Sequence, residues 1–189
     1  MRLAINGYGR IGRCILRALY ESGARNACQV VAINEPADAE AIAYLTRYDS
    51  THGRFPGSVE LQGSSLIVNR DSIALSAHEF LDALDWKKHN VDIVLECSGS
   101  FTCRAKAQKH LAAGAKRVLF SQPADSDIDA TIVFGVNDAN LSVQQSIVSA
   151  ASCTTNAIVP VIKVLDDLFG VENGVITTIH SAMNDQPVL

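Results

Sequence analysis

A glycine-rich turn near the start of the chain constrains its fold more than any other feature. Residues 3–5 form a short apolar run that predicts a buried strand, and the residues after the turn repeat apolar side chains at helical spacing. The turn itself contains Gly7, Gly9 and Gly12. Glycines at these three places allow a tight turn, let the backbone approach a pyrophosphate and let the helix pack closely on the strand. The N-terminus of the following helix would hold the phosphates, so the sequence predicts a dinucleotide site here.

Strands and helices alternate along most of the remaining sequence. Apolar runs predict further strands at 30–34, 91–96, 116–120, 131–136 and 147–149, and helical spacing predicts helices at 37–48, 80–84 and 106–113. Turn residues at 63 and 69–71 divide 59–75 into short antiparallel strands. Apolar strands alternating with helices predict an α/β fold, a doubly wound and mostly parallel sheet with helices on both faces.

The pattern changes near residue 150, where we place a domain boundary. Residues 1–150 would form the dinucleotide-binding domain. Residues 151–189 contain one predicted helix that ends at Gly170, a predicted strand at 174–180 and a short remainder. Such a segment is too short for an independent domain and would be the start of a second one.

Charge and cysteine content favour small-molecule chemistry in the cytoplasm. The net charge of −4, with no basic stripe, argues against nucleic acid and acidic membrane surfaces. No apolar run approaches the roughly 20 residues of a membrane helix, and the N-terminus has no signal-peptide pattern. The five cysteines show no CxxC pair and no metal-like spacing, as expected of reduced thiols without a metal.

Glu35 directly follows the second predicted strand, where a dinucleotide fold carries an acid for the ribose. Its carboxylate can accept both adenosine-ribose hydroxyls and would repel a 2′-phosphate, which favours NAD over NADP. The alternative is an ordinary surface glutamate in a turn. Gly99 and Ser121 also follow carboxyl ends of predicted strands, where open α/β sheets bind ligands, although ordinary turn residues occur there too.

Cys153 and His180 are the candidate nucleophile and base. Ser152 is a good helix N-cap, which places Cys153 in the first helical turn, where the helix dipole lowers a thiol pKa. His180 ends the last predicted strand, and sequence alone leaves open whether it meets the thiol. Beside a dinucleotide, a thiolate with a base suggests aldehyde oxidation through a thioester.

Four motifs together resemble the glyceraldehyde-3-phosphate dehydrogenase family: INGYGRIGR at 5–13, YDSTHG at 48–53, SCTTN at 152–156 and TTIH at 177–180. The resemblance implies a Rossmann fold followed by the start of an α+β catalytic domain, a phosphorylated aldehyde as substrate and a homotetramer. It also implies roles for individual residues: Arg10, Ile11, Glu35 and Gly99 at NAD, Cys153 as nucleophile, His180 as its activator, and Ser152 and Thr154 as substrate contacts.

Residues 33–38 and 180–186 resemble the branch of the family that oxidises erythrose 4-phosphate. Met183 stands where the family normally has a threonine that binds phosphate, which implies hydrolysis of the thioester to 4-phosphoerythronate and a role in pyridoxal-phosphate synthesis. Glu79 departs from the basic residue usual near the adenine. A phosphorylating triose-phosphate enzyme and an NAD-binding module without catalysis are the alternatives.

The sequence ends at Leu189, whereas the resemblance implies further residues that bind the substrate phosphate and orient the nicotinamide. We therefore expect the 189-residue chain to bind NAD but to show negligible turnover, because positioning contributes much of catalysis.

Overall fold

A large sheet dominates residues 1–181, the part of the chain that the computed structural model describes. Its strands are β1 Arg2–Asn6, β2 Gln29–Asn34, β5 Val59–Gln62, β6 Ser65–Val68, β7 Asp71–Ser76, β8 Ile93–Glu96, β9 Arg117–Phe120, β10 Ala130–Thr131 and β11 Ile147–Ser149. A separate two-stranded ribbon pairs β3 Tyr48–Asp49 with β4 Gly53–Arg54.

The strand order is β10-β11-β9-β8-β1-β2-β7-β6-β5, with β1 at the centre. Pairing is parallel from β10 to β7 and antiparallel between β7, β6 and β5. The parallel register aligns Asn6 with Asn34 on one side and with Glu96 on the other. The carboxyl ends of these strands therefore share one edge of the sheet, and the predicted doubly wound, mostly parallel α/β fold is confirmed.

Apolar side chains on both faces of the sheet are covered. Leu3 and Ile5 of β1 pack on one face with Leu16, whereas Ala4 between them packs on the other face in a cluster that contains Trp86. Alternate residues of β1 thus enter different cores, as the pleat of a strand requires. The helices are α1 Arg10–Glu21, α2 Ala39–Arg47, α3 Arg104–Ala112 and α4 Cys153–Phe169, with short 3₁₀ turns at Ala24–Asn26, Leu81–Ala83, Lys87–His89 and Asp138–Asn140.

Three predicted elements are shorter than expected or missing. The helix at 80–84 is only the 3₁₀ turn Leu81–Ala83, because the backbone is extended on both sides of it. The strand at 131–136 ends at Thr131, where a tight turn from Val133 to Val136 replaces strand pairing. The strand at 174–180 is wrong, since 171–181 has no regular secondary structure.

Helix α4 begins at Cys153 and contains Pro160, and none of its residues is fully buried. It projects several apolar side chains into solvent, including Val161 and Leu168. None of the helices within residues 1–181 has the length and apolar character needed to cross a bilayer.

Candidate active site

A cavity of about 340 Å³ lies at the carboxyl edge of the sheet, where β1, β2 and β8 end. Its lining comprises Asn6, Gly7, Gly9, Asn34, Glu35, Pro36, His78, Glu79, Leu81, Cys97, Ser98, Ser100 and Phe101. The sequence predicted Gly7, Gly9 and Glu35 as cofactor-binding residues, and the fold brings these three together. Open parallel sheets bind ligands at this edge, so the cavity is the candidate dinucleotide site.

The three glycines of the turn meet different steric demands. Gly7 has a φ of +86°, and a Cβ there would lie 2.4 Å from the backbone N and Cα of Ser98. A Cβ on Gly12 would lie 2.5 Å from the Gly7 carbonyl oxygen and 3.0 Å from Ile5 Cγ2 of β1, and the second contact is the close packing of helix on strand that the sequence predicted. A Cβ on Gly9 would meet no atom within 4 Å. Gly7 and Gly12 therefore hold the turn together, while Gly9 keeps space open at the cavity.

Helix α1 presents its N-terminus to this cavity through Gly9. Gly9 is the N-cap, and no side chain caps the helix. The N–H groups of the first turn have no partners within the helix and carry the positive end of its dipole, so they suit a pyrophosphate. Arg10 and Ile11 stand in this first turn with about half of each side chain exposed, and Arg10 forms an ion pair with Asp49 at 3.4 Å.

Glu35 joins the end of β2 to the glycine turn. Its Oε2 accepts a hydrogen bond from the Tyr8 N–H at 2.7 Å, and its Oε1 accepts one from the Ala37 N–H at 3.2 Å. Each carboxylate oxygen can accept a second hydrogen bond, which leaves capacity for ribose hydroxyls. The contact with Tyr8 places this negative charge beside the turn that would receive the phosphates.

The other predicted cofactor residues lie next to the cavity or farther along the sheet edge. Gly99, with a φ of +74°, stands between the lining residues Ser98 and Ser100. Ser121 follows β9, and its hydroxyl hydrogen-bonds Gln122 Oε1 at 3.0 Å. Among the described residues, the cavity lining does not include Arg10, Ile11, Gly12, Gly99 or Ser121.

Sequence reasoning missed several polar residues of the lining, among them Asn6, Asn34 and His78. The first two are the last residues of β1 and β2. The positional rule that singled out Glu35 applies equally to the carboxyl end of each parallel strand, so a signal for both asparagines was present in the sequence. His78 follows β7, whose parallel pairing with β2 depends on contacts distant in the chain.

The candidate nucleophile sits at a capped helix start, as predicted. Ser152 Oγ accepts a hydrogen bond from the Thr155 N–H at 2.9 Å, which makes Ser152 the N-cap of α4 and Cys153 its first residue. Ala151, just before the cap, is buried and has a φ of +62°. Such a conformation is unusual for alanine, and strain of this kind is concentrated at functional sites.

The structure brings Cys153 and His180 together. The distance from Cys153 Sγ to His180 Nε2 is 3.4 Å, and the thiol is exposed. His180 Nδ1 lies 2.7 Å from the Ser181 carbonyl oxygen. A carbonyl can only accept, so Nδ1 carries a proton, and a neutral ring then turns the lone pair of Nε2 to the thiol. The contact with His180, helped by the Thr154 N–H, lowers the pKa of Cys153 from its ordinary value, because transfer of the thiol proton to Nε2 leaves a thiolate beside an imidazolium that donates to it. The pair can therefore supply a thiolate and a base.

Ser152 and Thr154 flank the nucleophile, and their hydroxyl oxygens lie 3.0 Å apart. Their role as substrate contacts stays a prediction. Met183, on which the expected substrate depends, lies outside the described residues.

Two family profiles match the chain. The NAD binding domain of glyceraldehyde 3-phosphate dehydrogenase matches residues 1–104, and the C-terminal domain of the same enzyme matches residues 152–189. The first match contains the glycine turn and Glu35, and the open space at Gly9 fits the NAD that it implies. The second contains Cys153 and His180. These domains imply an NAD-dependent oxidoreductase, and the chain belongs to the glyceraldehyde 3-phosphate dehydrogenase family.

Proposed function

We propose that the full-length gene product oxidises D-erythrose 4-phosphate to 4-phosphoerythronate with NAD, through a thioester on Cys153. The observation that carries the proposed chemistry is the 3.4 Å contact between the exposed Cys153 thiol and His180 Nε2. The choice of a tetrose phosphate rests on the sequence, chiefly on Met183 where the family normally has a threonine.

The reaction begins when the Cys153 proton passes to His180 Nε2 and the thiolate forms a C–S bond to the aldehyde carbon. The C=O π bond breaks, and the carbonyl oxygen takes that proton back from His180 to become a hydroxyl. His180 Nε2 then accepts the hydroxyl proton as the C=O bond re-forms. Bound NAD supplies the acceptor for the hydride that leaves this carbon. The acyl group remains on sulfur as a thioester, and attack by water breaks the C–S bond and releases the acid.

Residues of the cavity select and hold the cofactor in this proposal. The free N–H groups at the start of α1 bind the pyrophosphate. Glu35 accepts ribose hydroxyls, and its negative charge disfavours a cofactor with a 2′-phosphate.

Water, and not inorganic phosphate, is the proposed acceptor of the acyl group. A threonine hydroxyl can donate a hydrogen bond to phosphate, whereas the Met183 thioether cannot. Binding of inorganic phosphate would therefore be weak, which leaves hydrolysis as the exit from the thioester.

The test compares D-erythrose 4-phosphate with glyceraldehyde 3-phosphate, each with and without inorganic phosphate, in the protein produced from its gene. We expect faster NAD reduction with the tetrose phosphate and no requirement for phosphate. Met183→Thr should introduce phosphate dependence, and Cys153→Ser should abolish the reaction with both substrates. A strong phosphate requirement with the triose phosphate in the unmodified protein would instead support the phosphorylating enzyme.

A further inference from the structure

A chain of buried polar side chains runs beneath the cavity. Glu96, the last residue of β8, is fully buried, and its Oε2 lies 2.9 Å from His110 Nε2 of α3. The same oxygen accepts a hydrogen bond from Asn6 Nδ2 at 2.7 Å, and Glu96 Oε1 accepts one from the Ser98 N–H at 2.8 Å. Three N–H groups thus surround one carboxylate in the core.

The single tryptophan fixes which nitrogen of His110 carries the proton. Trp86 Nε1 lies 3.0 Å from His110 Nδ1, and an indole N–H can only donate. His110 Nδ1 is therefore the acceptor, and the ring proton sits on Nε2, where it is donated to Glu96. A neutral imidazole and an ionised carboxylate satisfy every contact, so the proton positions follow from the hydrogen bonds.

The network reaches opposite walls of the cavity. On one side Glu96 holds the Ser98 N–H. On the other, Asn6 Oδ1 accepts from Asn34 Nδ2 at 2.9 Å, and Asn34 Oδ1 accepts from the His78 N–H at 2.9 Å. Ser98 and His78 both line the cavity, so the buried carboxylate is connected to both walls.

A buried charge needs a reason, because a well-packed apolar pair in its place is often neutral or stabilising. The surroundings of Gly7 provide one. Its Cα has no room for a Cβ against the backbone of Ser98, so any shift of Ser98 moves the turn that receives the pyrophosphate. Fixing Ser98 therefore fixes the glycine turn.

We propose that Glu96 and His110 are positioning residues for NAD, which hold Ser98 and the glycine turn in their binding geometry before the cofactor arrives. Neither Glu96 nor His110 is among the described residues that line the cavity. The proposal depends on NAD binding. It is independent of the substrate proposed above, because it concerns the geometry of the cofactor cavity and not the binding of the aldehyde.

The test measures NAD⁺ affinity of the chain by calorimetry in two variants of His110, at a temperature where each is folded. His110→Leu removes both the donor to Glu96 and the acceptor for Trp86, and we expect affinity to fall about tenfold, the loss of roughly one hydrogen bond. His110→Gln offers an amide N–H and an amide oxygen at nearly the same separation as the ring nitrogens, so we expect it to restore most of the affinity.

Glu96→Gln gives a second measurement that does not depend on the folding of His110→Leu. Its volume is unchanged. Its amide oxygen would take the place of Oε2, where it accepts from Asn6 and His110, so its NH₂ group would face the Ser98 N–H. This should release Ser98 and also weaken NAD⁺ binding about tenfold. The Ser98 amide proton should lose its charge-assisted hydrogen bond, which shifts its NMR resonance.

Val118→Ala is the matched control. Val118 is a buried residue of β9, and its core cluster is separate from the cluster that contains Trp86. The substitution should lower the free energy of unfolding without changing NAD⁺ affinity. Unchanged affinity in folded Glu96→Gln, or an equal loss in Val118→Ala, would overturn the proposal and leave the network a purely structural role.

Discussion

Cys153 and Cys97 are thiols of the same chain, yet their surroundings move their pKa values in opposite directions. The hydrogen bond with His180 lowers the pKa of Cys153. Burial raises the pKa of Cys97 from its ordinary 9.0 to about 11. At neutral pH a larger fraction of Cys153 is therefore thiolate, and the thiolate is the reactive form.

Alkylation by iodoacetamide at pH 7 should modify Cys153 before Cys97. In His180→Ala the pKa of Cys153 should rise, because its main hydrogen-bond partner is gone, and the alkylation rate at pH 7 should fall roughly tenfold. Mass spectrometry of the peptide that contains Cys153, over a range of pH, measures both effects.

His52→Ala serves as the control, since His52 is exposed on the turn between β3 and β4. It should leave the alkylation rate of Cys153 unchanged. If His180→Ala were alkylated as fast as the unmodified chain, the assignment of His180 as the partner that activates the thiol would be wrong.

At the scale of elements, different glycines in the connection from β1 to α1 serve the fold and the ligand. Gly7 has a positive φ, and the backbone of Ser98 leaves no room for a Cβ there. Gly9 has a φ of −69°, and a Cβ there would meet no atom within 4 Å. The two positions are two residues apart, and the same substitution should affect different properties at each.

Gly7→Ala should lower the free energy of unfolding by about 2 kcal/mol or more, because it combines backbone strain with a steric overlap. Gly9→Ala should lower that free energy by about 1 kcal/mol or less, because Gly9 is the N-cap of α1, where alanine is less favourable than glycine. Its methyl group would occupy space at the cavity, so NAD affinity should fall although the fold is kept. Urea unfolding and calorimetric titration of the two variants make the comparison, which fails if Gly9→Ala binds NAD as tightly as the unmodified chain.

Local patterns were sufficient to predict the elements that bury apolar runs. The strand that became β8 and the antiparallel hairpins of 59–75 both followed from apolar runs and turn residues. The strand expected at 174–180 is also rich in apolar and β-branched residues, but it pairs with no other strand. High β-propensity alone does not make a segment join a sheet. His180 nevertheless lies beside Cys153, so the pairing of the two side chains did not depend on that strand.

A residue of the candidate site could be predicted when its own position in the sequence indicated its role. It could not be predicted when its role depended on a contact with a side chain far away in the sequence. Cys153 and Glu35 were singled out by their own positions after a cap and a strand. Glu96 ends the parallel strand β8, so the same positional rule applied to it, but its role depends on His110, which meets it through the packing of α3 on the sheet and is itself held by Trp86.

At the scale of the whole molecule, aspartates with lowered pKa values join segments that are far apart in sequence. The Asp71 carboxylate binds Arg25, which lowers the pKa of Asp71. Lys116 and the Arg2 N–H do the same for Asp92. The hydrogen bond from Arg104, with those from the N–H groups of Ile147 and Ser146, lowers the pKa of Asp129 to about 2.

A lowered pKa in the folded state stabilises the fold when the carboxyl is ionised. For Asp129 this contribution is complete above its ordinary pKa of 3.8 and is lost as the pH falls through about 2. Asp129→Asn should therefore lower the free energy of unfolding by a constant amount between about pH 5 and 7, and the difference from the unmodified chain should shrink below about pH 4. Urea unfolding at a series of pH values measures this difference.

Asp167→Asn is a suitable control for acid stability, because Asp167 pairs with Lys163 on an exposed part of α4. Exposed pairs of this spacing contribute little, so the substitution should have almost no effect at any pH. A difference for Asp129→Asn that stayed constant down to pH 2 would show that its loss of stability has no electrostatic origin.

The position of Trp86 gives the molecule a built-in optical reporter. It is the only tryptophan in the sequence, it is 2% exposed, and its ring stacks on His110 with centroids 6.0 Å apart. Fluorescence excited at long ultraviolet wavelengths therefore comes from this one side chain. Trp86 is the first residue of the hydrogen-bond chain that continues through His110 and Glu96 to Ser98. The tryptophan emission of the unlabelled protein therefore reports on the surroundings of Trp86 and on its hydrogen bond to His110.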